Sequence, residues 1–327
     1  MKSRVYAVDR NTLMQRHNFR FLHGSLYLLV LSLAIAIFCS GCTGPADAQQ
    51  EPTGHIVVDG STALQPLVKT AATLFHRQHP QATITVNGGG SVSGLKDVTS
   101  GKTNIGNSDI YADPALYPDP NLTDHIVCVV PFTMIVNSKV TVTSLTQQQI
   151  IDIFSTGKLR NWDEVGGPDL PIVPIVRPQT SGTRATFRKY VLGGGDEKGT
   201  LLQTDSSTTV RSTVAHTPGA IGYLALSVFD NSVRQVAIDG LTATAGNIES
   251  GNYTFWGYEH MYTLGDNNKL ISSFLDYMLT TTVQQEAAKQ SYIPIASMKL
   301  PSLGTGDGSI SFSTYPSESE ATLREHI

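Results

Sequence analysis

Arg177-Pro-Gln-Thr-Ser-Gly-Thr-Arg184 stands between the apolar run Ile172-Val-Pro-Ile-Val176 and the segment Ala185-Thr-Phe-Arg-Lys-Tyr-Val191. An apolar run that stops at a Ser-Gly-Thr turn and resumes with helical spacing reads as strand, turn, helix, placing Ser181, Gly182 and Thr183 at a helix N-terminus. Such a terminus presents unpaired N–H groups and a partial positive charge, which suits an anion. Gly182 lets backbone approach a ligand closely, the hydroxyls of Ser181 and Thr183 can donate, and Arg177 offers a planar fork matched to a tetrahedral oxyanion. On its own the segment is also the pattern of a Ser N-cap beside a surface arginine. Turns elsewhere in the chain bear on the choice.

Upstream, the short β run His55-Ile-Val-Val-Asp59 meets Gly60-Ser61-Thr62, and Leu64, Leu67, Ala71, Leu74 and Phe75 then fall on one helical stripe. Ala82-Thr-Ile-Thr-Val86 reads as a further strand, ending in Asn87-Gly-Gly-Gly-Ser-Val-Ser-Gly94 and another helix start. Ile105-Gly-Asn-Ser-Asp109 puts a polar Ser108-Asp109 pair at the end of a short strand. Strands alternating with helices predict an α/β architecture with mixed, largely parallel sheets flanked by helices, whose ligands bind beyond the strand C-termini. The turns at residues 60–62, 88–94, 108–109 and 177–183 occupy those ends and are expected to converge on one cleft. Between His125 and Asn137 runs a long apolar strand interrupted by Pro131, which predicts a bend or a change of partner where the chain crosses between lobes. Ser144-to-Phe154 reads as an amphipathic helix, Pro218-to-Ala225 and Val233-to-Ile238 contain strands, and Leu270-to-Leu279 and Val283-to-Ala288 are helical. Tyr292-Ile-Pro-Ile295 closes the fold.

Composition removes several classes of function. The chain has 327 residues, is 40% hydrophobic and carries a formal net charge of −4, enough for one large or two ordinary domains and without the clustered Lys and Arg that nucleic acid requires. Gly101-Lys-Thr103 suggests a phosphate-cradling P-loop, but that loop needs a glycine five residues earlier, where Lys96 stands. Neither a Gly-x-Ser-x-Gly elbow nor a His-Glu-x-x-His motif is present; His260 beside Glu259 is the best candidate for a catalytic base and reads as a structural histidine. The chain is accordingly expected not to be an enzyme, and no metal or cofactor is expected. Trp162 reads as packing rather than a stacking platform. Cys39 and Cys42 end an N-terminal apolar run, so Cys128 alone lies in the body and no disulfide can form within it.

Residues 1–42 have the order of an export signal: Arg10, Arg16 and Arg20, the apolar run Leu26-to-Phe38, then Ser40-Gly41 before Cys42. That order resembles a bacterial lipoprotein signal, with Cys39 where leucine is usual, and implies that Cys42 is lipidated and becomes the first residue of the mature protein. An ordinary secretory signal cleaved nearby is the other reading, and initiation at Met14 would give a more usual signal length. Residues 43–54 read as a flexible tether and residues 303–327 as a polar tail.

Taken as a set and in order, Gly60-Ser-Thr62, Gly88-Gly-Gly-Ser91, Ile105-Gly-Asn-Ser-Asp109, Leu159-Arg-Asn-Trp-Asp-Glu-Val-Gly-Gly167, Arg177 with Ser181-Gly-Thr-Arg184, Pro218-Gly-Ala-Ile-Gly-Tyr223 and Tyr292-Ile-Pro-Ile295 resemble the phosphate-binding proteins of bacterial ABC transporters. The resemblance implies a two-lobed class II periplasmic-binding-protein fold closing around inorganic phosphate. The first lobe would be residues 55–133 and 239–302, and the second residues 134–238. It implies a monomer that works with ABC transporter permease subunits, held by its lipid at the outer face of the cytoplasmic membrane or free in the periplasm. Carried over by motif, Ser61, Thr62 with the amide of Ala63, Ser91 and Asp109 would bind phosphate from the first lobe, and Arg177, Ser181, Gly182 and Thr183 from the second. In some members an acidic residue two after the arginine pairs with it; Gln179 stands there in this chain, which implies an Arg177 freer to engage the ligand. Binding of another tetrahedral oxyanion, sulfate or molybdate, is the alternative and requires Asp109 to be absent from the cleft; phosphate-ester hydrolysis is a more distant one.

Overall fold

In the computed structural model, residues 51–203, 205–265 and 268–298 are described. The export signal, Cys42, residues 43–50 of the tether, residues 299–302 of the expected first lobe and the tail lie outside the described residues. In chain order the elements are β1 (Gly54–Gly60), α1 (Gln65–Gln78), β2 (Ala82–Val86), α2 (Ser91–Thr99), β3 (Ile105–Ser108), β4 (Leu122–Val136), β5 (Ser144–Leu145), α3 (Gln147–Ile151), β6 (Val173–Val176), α4 (Gly182–Tyr190) and β7 (Thr200–Leu201). There follow α5 (Ser207–His216), β8 (Ala220–Ala225), β9 (Arg234–Ile238), α6 (Ala245–Glu249), β10 (Trp256–Leu264), α7 (Lys269–Met278), α8 (Thr281–Lys289) and β11 (Ile293–Pro294).

Apolar spacing accounts for the main elements. In α1, Pro66 stands in the first turn, where its missing N–H costs nothing, and Leu67, Val68, Ala71, Ala72 and Phe75 form the buried stripe. All six residues of β8 are buried, as expected of a strand covered on both faces. The strands run in the order β2-β1-β3-β10-β4-β8-β6-β7. β1 pairs in parallel with β2 and β3, and β6 with β7 and β8, whereas β10 and β4 are antiparallel to their neighbours. β4 binds the two groups of strands together. From Leu122 to Pro131 it pairs with β10, and from Phe132 to Val136 with β8, so the change of partner falls at the proline. On the β8 side an aromatic cluster fills the interior, with Phe187 stacked 4.1 Å from Tyr223 and Phe255 5.4 Å from Phe187.

Two local expectations are corrected. Ser144 does not start a helix: Ser144–Leu145 pair in parallel with β9, and Thr146 caps α3 through a reciprocal capping box with Gln149. The segment then continues as one π-helical stretch, Asp152–Thr156, ended by Gly157 at φ 69°. β10 is missed in the sequence, where Trp256-Gly-Tyr-Glu-His-Met-Tyr-Thr-Leu264 carries a buried Glu and His that obscure its apolar period. His260 is buried, with Nδ1 2.9 Å from both carboxylate oxygens of Asp124. Trp162 is buried too, its indole N–H donating to the carbonyl of Gly219 at 2.9 Å.

Candidate anion-binding site

The turn after β6 forms as the opening sequence implies. Ser181 is the N-cap of α4, its Oγ accepting the N–H of Arg184 at 3.2 Å, so Gly182 and Thr183 begin the first helical turn. On the other side, Gly60 at φ 131° turns the end of β1 so closely against β3 that a Cβ there would lie 2.1 Å from the Asn107 carbonyl. Ser61 Oγ accepts the N–H groups of Ala63 and Leu64, each at 3.1 Å, and donates its own proton to Asp109 Oδ1. The amide of Ala63 is therefore turned back on the Ser61 hydroxyl. Gly90, at φ 94°, precedes Ser91, the first residue of α2, whose Oγ accepts the N–H of Asp109 at 2.9 Å.

These pieces meet. Thr183 Oγ1 donates to Asp109 Oδ2 at 2.8 Å, so the carboxylate receives one hydroxyl from the β1 turn and one from α4. A Cβ on Gly182 would stand 2.2 Å from Ser91 Oγ and 3.0 Å from Asp109 Cβ, so the starts of α2 and α4 touch through a position where only glycine fits. Val92 N–H donates to the Thr180 carbonyl at 3.1 Å across the same seam. Ser61, Thr62, Ala63, Ser91, Asp109, Arg177, Ser181, Gly182 and Thr183 are all buried. The structure brings all nine together.

Gln179 does not leave Arg177 without a partner. Arg177 Nε and Nη2 donate to Asp205 Oδ1 at 2.8 and 2.6 Å, and Nη2 also reaches Thr62 Oγ1 at 3.2 Å and Ser207 Oγ at 3.3 Å. The expectation of a freer arginine is thus corrected. Asp205 supplies the acidic partner from a later segment, and because Asp205 and Arg177 are both buried, the pair is held in a fixed geometry. Arg177 Nη1 remains a buried donor with no acceptor among the described residues. Ser207, at the start of α5, completes the cluster: its N–H donates to Thr62 Oγ1 at 3.2 Å. Neither Asp205 nor Ser207 was found from sequence. The available signal was Asp205-Ser-Ser-Thr208 leading into a helix, one more hydroxyl-bearing helix start.

Arg177 and Asp205 cancel in charge, so Asp109 is the carboxylate left over among hydroxyl and amide donors. Burial pushes its carboxyl above the ordinary carboxylate range, while the hydrogen bonds from Ser61 and Thr183 and the nearby Arg177 charge pull the other way. Among the described residues no group of His, Cys, Asp and Glu is arranged to hold a metal ion.

Comparison with known proteins decides the family. The PBP superfamily domain matches residues 45–282. The phosphate-binding protein PstS of Bacillus subtilis (strain 168) is 39% identical over 288 residues, covering 84% of this chain and 95% of its own length. The chain belongs to the phosphate-binding protein family of bacterial phosphate ABC transporters. Pseudomonas aeruginosa PstS, a more distant member, is 25% identical over 270 residues, covering 74% of this chain and 84% of its own. Among solved structures, a Clostridium perfringens substrate-binding protein assigned to phosphate ABC transport and crystallised with bound phosphate superposes with a TM-score of 0.69 at 29% identity, covering 74% of this chain and all of that one. The fold of the family is two-lobed, with its ligand cleft between the lobes. In this member the strand-to-helix turns gather around Asp109.

Proposed function

We propose that this protein captures inorganic phosphate through hydrogen bonds from Ser61, Thr62, the amide of Ala63, Ser91, Arg177, Ser181, Gly182 and Thr183, accepts the phosphate proton on Asp109, and delivers the anion to ABC transporter permease subunits for import. The lobes are residues 55–133 with 239–302, and residues 134–238. One observation carries the reading: the Asp109 carboxylate, which forms no ion pair among the described residues, stands among polar groups contributed by three other turns.

Phosphate near neutral pH keeps at least one proton and sulfate keeps none, so a cleft of donors alone would accept either. An ionised Asp109 is acceptor-only: it receives the phosphate O–H, but toward sulfate it faces a bare oxygen with no proton between. A polar group left unpaired in a closed site can discriminate by roughly 10⁴-fold. Arg177, oriented by Asp205 and with no acceptor for Nη1 among the described residues, directs a cationic donor at the ligand. No nucleophile–base pair is needed for this activity, and the protein acts as a carrier rather than an enzyme, exported and anchored through Cys42 as a monomer.

Calorimetric titration of the purified protein with phosphate, sulfate and molybdate tests the proposal. Saturable phosphate binding with at most weak binding of the other two is expected; equal affinity for sulfate would transfer the reading to general oxyanion binding.

A further inference from the structure

A second carboxyl group lies directly behind Asp109. Glu259, on β10, has no solvent exposure, and neither of its oxygens receives a hydrogen bond from any N–H or O–H donor among the described residues. The register that pairs His260 with Ser108 leads Glu259 to the position across from Asp109, and a Cβ on nearby Gly257 would sit 3.1 Å from the Asp109 carbonyl. On that register the two carboxyls are neighbours, close enough for the charge of Asp109 to act on Glu259. Two ionised carboxylates cannot rest in that contact in a buried site; one proton between them turns the repulsion into a hydrogen bond. The surroundings decide which carboxyl holds the proton. Asp109 already accepts from Ser61 on one oxygen and Thr183 on the other and stands near Arg177, whereas Glu259 has none of these supports.

We propose that Glu259 is a positioning residue for anion selectivity: a permanently protonated carboxylic acid that donates its hydrogen bond to Asp109 and so keeps the Asp109 carboxylate ionised as the acceptor of the phosphate proton. This rests on the proposed phosphate-binding role of Asp109. The groups facing Glu259 agree with it. Cys128, opposite on β4, and Tyr292, beyond β11's near end, are both held in their neutral forms by burial, and neither supplies a positive charge that would ionise Glu259. His260, the next residue on β10, is engaged with Asp124. Asp205, the other acid near Asp109, is already paired with Arg177. Burial, and then the charge of Asp109, push the Glu259 carboxyl well above the ordinary carboxylate range. A neutral carboxylic acid of this kind serves as a donor where an amide or hydroxyl would otherwise be used.

The binding consequence concerns pH. When Asp109 becomes protonated it can donate to sulfate, so the preference for phosphate fades as pH falls through the Asp109 pKa. A donated hydrogen bond from Glu259 lowers that pKa and extends the selective range toward acid. The test combines infrared spectroscopy of the full-length mature protein with calorimetric titrations of phosphate and sulfate across pH, in the wild type, Glu259→Gln and Glu259→Leu. In the wild type at about two pH units above the titration of Glu197, another largely buried carboxyl whose pKa is raised to about 7, a carbonyl band of a protonated carboxylic acid is expected, and it should be lost in Glu259→Gln. Glu259→Leu should move the midpoint of the selectivity loss up by about one to two pH units, the worth of a hydrogen bond to a charged group. Glu259→Gln, whose amide N–H can replace the donated proton, should bring the midpoint back to the wild-type value. Absence of the band from the wild type, or its persistence in Glu259→Gln, overturns the proposal, as does a leucine variant with an unmoved midpoint. A wild type that carries the band but does not prefer phosphate would overturn the functional reading instead.

Discussion

Arg177 shows how a residue can be identified from sequence while its partner is not. Its place after a buried strand and before a Ser-Gly-Thr helix start marked it as a ligand candidate, but Asp205 lies 28 positions further on and is brought to it only by packing. Local spacing cannot report such a meeting. The pair is buried, so removing one member strands the other; breaking such a pair costs about 3–5 kcal/mol, whereas replacing both charges with apolar groups can restore stability. Asp205→Ala is therefore expected to lower the melting temperature and weaken phosphate binding about tenfold or more. Arg177→Met combined with Asp205→Leu should recover the melting temperature while leaving phosphate binding lost. Thermal unfolding and calorimetry on the two variants separate the arginine's part in holding the fold from its proposed part in holding the anion.

At the level of elements, the helix starts of α2 and α4 were legible because glycine and hydroxyl residues follow apolar runs, a pattern with few other physical causes. Their contact was not, since it depends on backbone approach at Gly182. A methyl group there would collide with Ser91 Oγ at 2.2 Å and Ser91 Cβ at 2.8 Å and force the two helix starts apart. Gly182→Ala should weaken phosphate binding about tenfold or more, measured by calorimetry, with far-ultraviolet circular dichroism unchanged. β10 went unread for the opposite reason: its buried Glu259 and His260 break the apolar alternation that identifies a strand, and only pairing with β3 and β4 reveals it. α4 has a second anchor in Arg184, whose Nε lies 3.2 Å from Glu197, which also accepts from the Tyr223 hydroxyl at 2.8 Å. Burial raises the Glu197 pKa from 4.5 to about 7, against the pull of Tyr223 and Arg184. With the folded pKa above the unfolded one, Glu197 contributes most stability below pH 4.5, and that contribution is lost as pH rises through about 7. Glu197→Gln should flatten the pH dependence of the melting temperature between pH 4.5 and about 7, which a series of thermal scans would reveal.

Across the whole molecule, β4 is the continuous strand that joins the two groups of strands, changing partners at Pro131. A proline in an apolar run predicted that change. The α/β alternation likewise placed the hydroxyl-bearing turns at the C-terminal ends of the strands, where the structure gathers them. The net charge of −4 bears on how an anion can be held at all. With Arg177 neutralised by Asp205 and Asp109 negative, binding depends on short-range donors rather than on a cationic field. Affinity for phosphate should therefore change by less than about threefold between low and roughly 0.5 M salt, where the Debye length has contracted to a few ångströms. A steep loss with salt in calorimetric titrations would point to long-range charge attraction instead. The central claim is that one proton-accepting side chain sets the choice of anion. Calorimetric titration of Asp109→Asn with phosphate and sulfate, beside the wild type, tests it most directly. The asparagine, which can donate as well as accept, should weaken phosphate binding and narrow its advantage over sulfate by about tenfold or more. An unchanged ratio of the two affinities would contradict the account.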